Sequence, residues 1–278
     1  MIDCHTHTSI SPDGYDDAEN SYKRACELNL KAIAVTEHCE SNRLYGTDKY
    51  KYSHANEEHY FYNYDIFLKS MEVNSAVKEN VSQNTEFICG IELGQATHDF
   101  EAAEKIVSDE RLDFTIGSMH ELIGRDDFAF LNYNDENIPE LLAEYFNELL
   151  KLSRWGRFDI LGHLTYPLRY IIGEADIRVN MSAFDDVIHD IFKTLAANDK
   201  GIEINTSGFR QKYGKPFPSL EYIRMFRECG GKIISVGSDA HKTCDIGSGI
   251  NNGIELVKAA GFDKIYYFKK HIPYGISI

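Results

Sequence analysis

The residues with the most chemistry in them are imidazoles and acids that recur along the chain: His5 and His7, Glu37 and His38, Glu92, His120, His163, and Asp239 with His241. Imidazole and carboxylate donors together suit zinc, iron or manganese. Taken singly, each has a plain explanation. A His-x-His pair arises by chance, a histidine at a strand end is often just hydrogen-bonded there, and Ser238-Asp239-Ala240-His241 reads equally as a turn with an Asp cap. Glu92 alone could pair with an arginine. Their joint placement along the chain carries the argument.

Short apolar runs alternate with longer amphipathic stretches, the pattern of βα units. Strands are expected at Met1–Cys4, Ala32–Thr36, Phe87–Ile91, Phe114–Ser118, Asp159–Gly162, Ile202–Asn205 and Lys232–Val236, with a short strand at Lys264–Phe268 closing the set. Helices are expected at Asp17–Leu28, up to Glu79, at Phe100–Ser108, Pro139–Leu152, Ala183–Asn198, Leu220–Cys229 and Gly249–Ala260. Pro139 suits a first helical turn, and Gly230-Gly231 suits a helix end. The candidate ligands follow or end these strands, and in a parallel barrel all strand C-termini meet on one face. Residues scattered along the chain would then converge in space. No sequence repeat or Pro/Gly-rich linker divides the 278 residues, so a single domain over 1–278 is expected.

A formal charge of −15 excludes nucleic acid as a standing partner, since a polyanion is repelled by such a field. No apolar run approaches the roughly 20 residues of a membrane helix, and the start shows neither basic flank nor apolar signal region. The six cysteines form no CxxC pair and read as free thiols of a cytoplasmic protein, with Cys4 and Cys39 facing the core. His54, His59, His98, His189 and His271 read as solvated, with a pocket mouth the alternative for His54 or His59, and the aromatic stretch Tyr45–Tyr64 as a loop that covers a pocket, forms a partner surface or is a plain excursion.

His5-Thr6-His7-Thr8 followed by Ser11-Pro12-Asp13-Gly14 resembles the opening of PHP-domain (polymerase and histidinol phosphatase) proteins. Thr36-Glu37-His38, Gly90-Ile91-Glu92, Gly117-Ser118-Met119-His120, Gly162-His163 and Gly237-Ser238-Asp239-Ala240-His241 resemble the later motifs of that family, in order. Glu203 to Arg210 and Pro218-Ser219 look most like PHP-type histidinol-phosphatases. The resemblance implies an α/β fold, a distorted (βα)7 TIM-like barrel, with three metal ions (Zn, Fe or Mn) at the C-terminal ends of the strands. Carried over by position, His5, His7, Glu92 and Asp239 would hold the first ion, and Glu92, His120 and His163 the second. Asp13, His38 and His241 would hold the third, some relatives having His where this chain has Asp13.

The expected reaction is hydrolysis of a phosphomonoester, L-histidinol phosphate first among the candidates, as a step of histidine biosynthesis. A hydroxide between two ions would attack phosphorus in line, with Glu92 bridging and either Asp239 or His241 assisting the leaving alkoxide. Arg169 and Arg210, both following strand ends, are the expected phosphate clamps, with Arg125 or Lys212 as substitutes. The alternatives are a PHP phosphoesterase for another small phosphomonoester, nucleotide or phosphotyrosine, and a non-catalytic metal-binding module.

Overall fold

The structure is a computed structural model describing residues 1–44, 64–81 and 84–278. The stretch Tyr45–Tyr64, with His54 and His59, lies outside the described residues except for Tyr64, which opens a helix.

Seven strands run parallel in chain order: β1 (Ile2–Thr6), β2 (Ala32–Glu40), β3 (Glu86–Gly94), β4 (Phe114–Ser118), β5 (Ile160–Leu161), β6 (Gly201–Asn205) and β7 (Ile234–Gly237). Between and after them come α1 (Ala18–Glu27), α2 (Tyr64–Glu79), α3 (Phe100–Val107), α4 (Ile138–Trp155), α5 (Asp185–Ala197), α6 (Leu220–Glu228) and α7 (Ile250–Ala259). The strands are buried almost throughout, as parallel strands covered on both faces must be. Their ends are set by local chemistry. Asp17 caps α1 by accepting from the Asn20 N–H at 2.7 Å, and α4 stops where Gly156 takes the left-handed φ of 63°.

The sheet curls until β1 meets the chain just beyond β7. Asp239 N–H donates to the His5 carbonyl and His7 N–H to the Ala240 carbonyl, both at 2.8 Å. The buried Asp3 carboxylate accepts from the Ser238 and Gly247 N–H groups, each at 2.8 Å, pinning the same seam. This is the (βα)7 barrel expected.

Three expectations are corrected. β2 and β3 run further than their apolar cores suggest, so Glu37, His38 and Glu92 lie within strands rather than after them. Polar side chains there are accommodated because the barrel mouth is lined by polar partners. The last expected strand does not close the barrel. It is β8 (Lys264–Lys269), which pairs antiparallel with β9 (Ile272–Ser277) in a separate sheet. The two-residue turn at Lys270 and His271, both with positive φ, suits a tight hairpin. Its tip docks against the ends of the strands opposite the histidines. There His271 N–H donates to the Asp113 carbonyl at 2.8 Å, and His271 Nδ1 lies 2.8 Å from Asp159 Oδ2. His271 is exposed, as expected, and these contacts also dock it against Asp113 and Asp159. His98, also expected in solvent, is buried in a single 3-10 turn, and burial pushes its pKa down to about 4. All six cysteines carry free thiols, and Cys4 and Cys39 are in the core.

Candidate functional site

Strand alternation explains how the side chains converge. His5 and His7 are two residues apart and project to the same side of β1 and its extension; His38 and Glu40 do the same on β2. Glu92 projects from β3 between them, while His120 and His163 lie two residues past the ends of β4 and β5. Asp239 sits in the turn after β7 with a left-handed φ of 53°, a conformation Asp tolerates better than most residues.

Four donors converge at the first group. His5 Nε2 lies 3.2 Å from Glu92 Oε2 and 3.7 Å from Asp239 Oδ1, and His7 Nε2 lies 3.5 and 3.4 Å from the same two oxygens. On the other oxygen of Glu92, His120 Nε2 and His163 Nε2 stand at 3.1 and 2.7 Å, and 3.4 Å from each other. At the third, Asp13 reaches His38 Nε2 at 3.7 Å and His241 Nε2 at 3.0 Å. The groups are contiguous: His7 stacks on both His38 and His241, and His38 Nδ1 is 2.9 Å from Glu92.

His120 and His163 meet Glu92 Oε1 at hydrogen-bond distance, while the contacts of the first group, at 3.2–3.7 Å, have the spacing of donors around one ion. Donors bonded to one ion at about 2.0–2.1 Å sit roughly 3.3 Å apart in a tetrahedron. The buried His5 Nε2, His7 Nε2, His241 Nε2 and Glu92 Oε2 lack a hydrogen bond of acceptable geometry despite their short separations. Such orphaned polar atoms are costly unless something else satisfies them. The donor set therefore fits divalent cations. Burial opposes charge on Glu92, yet His5, His120 and His38 hold its carboxyl well below the usual carboxylate range. Burial, with His38 and His241 beside it, pushes the His7 imidazole down to about 3.

The opposite ring nitrogens are held from behind. His5 Nδ1 is 2.6 Å from Glu203, His120 Nδ1 is 3.2 Å from Glu40, His7 Nδ1 is 3.3 Å from the Ser11 hydroxyl, and His241 Nδ1 is 3.1 Å from the Asp239 carbonyl. Such partners fix tautomer and ring orientation and leave Nε2 for a cation. Glu203 also accepts from His163 N–H at 2.9 Å, so one carboxylate braces two groups. Glu40, with His38 and His120, forms a further set of close donors that sequence reasoning missed. The signal was present: Glu40 is two residues from His38 on the same strand. Glu37, by contrast, points away and accepts from the N–H groups of Thr8 and Ser11 at 3.1 Å, holding the loop that carries Asp13.

Above the cluster opens a cavity of about 550 Å³ that Arg169 and Arg210 both line. Arg169 opens a single π turn at Arg169–Glu174 and stacks 5.1 Å from the Tyr170 ring centre. Among the described residues it has no carboxylate partner, and its buried Nε is unbonded. Arg210 is more engaged, with Nη2 donating to the Asp239 carbonyl at 3.2 Å and Nε 3.8 Å from Asp245. The two substitutes are occupied elsewhere: Arg125 pairs with Glu136 and Glu144, and Lys212 reaches the Glu174 carbonyl.

The sequence profile of the PHP domain matches residues 3–207. The chain belongs to the PHP-domain family. Asp239 and His241 lie beyond the matched stretch, yet this PHP domain folds them into the same cluster. A probable histidinol-phosphatase of Thermotoga maritima is 27% identical over 275 residues, covering 95% of this chain and 94% of that protein. The histidinol-phosphatase of Lactococcus lactis subsp. lactis is 24% identical, covering 96% of this chain and 94% of that one. Among solved structures, the histidinol phosphate phosphatase of Lactococcus lactis, complexed with zinc, L-histidinol and phosphate, superposes with a TM-score of 0.77 at 21% identity over 98% of both chains. Among the described residues no helix is long and apolar enough to cross a membrane.

Proposed function

We propose that this chain is a metal-dependent phosphomonoesterase whose substrate is L-histidinol phosphate, hydrolysed to L-histidinol and phosphate as a step of histidine biosynthesis. The observation that carries it is the placement of a half-buried Arg169, without a carboxylate partner among the described residues, in the cavity that Glu92, His120, His163 and Asp239 of the donor cluster also line. That combination receives a phosphate on a cation-binding floor. Relatives named as histidinol-phosphatases, aligned over nearly the whole chain, supply the substrate.

His5, His7, Glu92 and Asp239 would hold one divalent ion, Glu92, His120 and His163 a second, and Asp13, His38 and His241 a third, with zinc, iron and manganese all compatible with the donors. Bound divalent ions supply a water that ionises near neutral pH and positive charge for the phosphoryl oxygens. The chain's own residues do the rest. Glu92 presents one oxygen to each of two groups and so fixes their separation. Glu203 holds the His5 ring, and through His163 N–H the neighbouring group, in register. Arg169, planar and without a carboxylate partner among the described residues, offers a fork of N–H donors to two phosphoryl oxygens, and Arg210 adds a second positive charge at the rim. Asp239 Oδ2 accepts from Asn205 at 3.3 Å, which orients its Oδ1 toward His5 and His7. Asp239 and His241 lie side by side at the edge of the cluster, where either would assist departure of the alkoxide.

The whole chain, 1–278, acts as one barrel domain in this reading. Six free thiols suit a reducing, cytoplasmic setting, and the charge of −15 disfavours a nucleic-acid partner.

The test is turnover of a phosphomonoester panel that includes L-histidinol phosphate and p-nitrophenyl phosphate, together with metal analysis. L-Histidinol phosphate should be the best substrate of a metal-loaded protein. Turnover of p-nitrophenyl phosphate alone would favour another phosphomonoester, a reading that fits relatives from Vibrio species named only as probable phosphatases. Bound metal without any turnover would leave a metal-binding module.

A further inference from the structure

Among the described residues six acids line the cavity, and five of them are accounted for. Asp13, Glu92 and Asp239 belong to the donor cluster, Glu40 faces His120, and Asp245 faces Arg210. Asp127 remains. Its Oδ1 accepts from the Ala129 N–H at 2.7 Å, which fixes the carboxylate in a tight turn, and among the described residues no lysine or arginine pairs with it. A carboxylate held in place, partly desolvated and unpaired, is a receptor for a cation.

The wall beside it is aromatic. The Tyr166 ring stands edge-on to His120, with centres 5.3 Å apart, and its hydroxyl is 3.0 Å from that of Tyr170. Phe130 contributes an exposed ring at the mouth. Aromatic faces attract organic cations and stack on planar rings. Arg169 lies over Tyr170, and Asp127 lines the same cavity, so an anion receptor and a cation receptor share it with the tyrosine pair. Both charges act on the tyrosines: burial raises the Tyr170 hydroxyl's pKa to well above its ordinary value, Arg169 works against that and Asp127 with it.

We propose that Asp127, backed by the Tyr166–Tyr170 wall, binds the ammonium group of an aminoalkyl phosphate and thereby sets the enzyme's preference for such substrates. This rests on the phosphomonoesterase reading and narrows it to a zwitterionic substrate class. One molecule then spans the wall, its phosphate toward Arg169 and the donor cluster and its ammonium toward Asp127.

The experiment compares wild type, Asp127→Asn and Asp127→Glu on L-histidinol phosphate and on propyl phosphate, a primary alkyl phosphate without an amine. L-Histidinol binding by calorimetry is measured alongside. With Asp127→Asn, the ratio of kcat/KM for L-histidinol phosphate over propyl phosphate should fall about tenfold to a hundredfold, the effect of one charge-assisted bond. The change should lie in KM, L-histidinol affinity should fall in parallel, and Asp127→Glu should recover part of both. An unchanged ratio overturns the proposal, because a group that protonates the leaving alkoxide, or one that only shapes the turn, would affect both phosphates alike. Unchanged L-histidinol affinity in Asp127→Asn overturns it as well. Should wild type hydrolyse neither phosphate, the enzyme reading fails by itself, and the proposal stands or falls on L-histidinol binding.

Discussion

Five histidines, His5, His7, His38, His120 and His163, lie within 3.5 Å of the Glu92 carboxylate. Glu92→Gln keeps the shape and removes the charge that two donor groups share, so it should lower kcat/KM by at least about a hundredfold, more than Asp13→Asn, whose carboxylate touches one group. Near-normal turnover of Glu92→Gln with metal bound would remove Glu92 from the centre of the mechanism. Arg169→Ala should lower kcat/KM for L-histidinol phosphate about a hundredfold, the worth of a charge-assisted contact of roughly 2–3 kcal/mol, with metal content intact. Arg169→Lys should restore only part, since a point charge lacks the planar fork. Arg210→Ala should cost less than Arg169→Ala, because part of its donor capacity is already used by the Asp239 carbonyl. Equal losses in steady-state kinetics would contradict that ordering.

At the scale of elements, strands were legible wherever β-branched or apolar runs were unbroken, as in Phe114–Ser118, which the structure reproduces. They were illegible where the barrel mouth replaces apolar residues by acids and an imidazole, so Glu37 to Glu40 read as following a strand when they are part of it. That shift hid Glu40, whose two-residue offset from His38 has meaning only once the strand is known to continue. Glu203 entered only as part of a family motif, because nothing local to β6 shows that its partner is His5 from the far end of the chain. Between β1 and β7 the approach is close enough that a Cβ on Gly237 would come within 2.4 Å of the His5 Cβ and 2.6 Å of Glu203 Oε1. Gly237→Ala should therefore cost about 1–3 kcal/mol of stability and lower metal content together, read by thermal melting and metal analysis. Normal metal content would show that the His5–Glu203 pair yields without consequence. Asp99 offers a separate test. It caps α3 through the Ala102 N–H and grips Arg43 with contacts of 2.6 and 2.9 Å. Burial opposes its charge, but those partners hold its carboxyl below the usual range. A carboxyl whose folded pKa is lowered stabilises above its unfolded pKa and loses that contribution as pH falls through the folded value. Asp99→Ala should thus melt earlier at pH 7, by about 1–2 kcal/mol of stability, and the gap to wild type should narrow below roughly pH 4. A gap constant with pH would assign the loss to packing instead.

For the molecule as a whole, the donor cluster is a knot of buried polar atoms that the fold alone leaves unsatisfied. Chelation should therefore abolish turnover and also lower Tm, and restoring zinc or manganese should raise Tm in a concentration-dependent way. A Tm indifferent to chelator, with metal shown by analysis to have left, would mean that the cluster is tolerated empty. The barrel seam adds a consequence for synthesis. His5 belongs to the first strand, and its partner across the seam, Asp239, follows the last one. A ribosome adding about 5–20 residues per second needs roughly ten to fifty seconds to travel between them. Through that interval the emerging polypeptide exposes His5 and His7 while Asp239, a member of the same donor group, is still untranslated. Ribosome-bound intermediates arrested before residue 239 should then retain metal far less firmly than released protein. Cofactor acquisition is thus timed by the far end of the message.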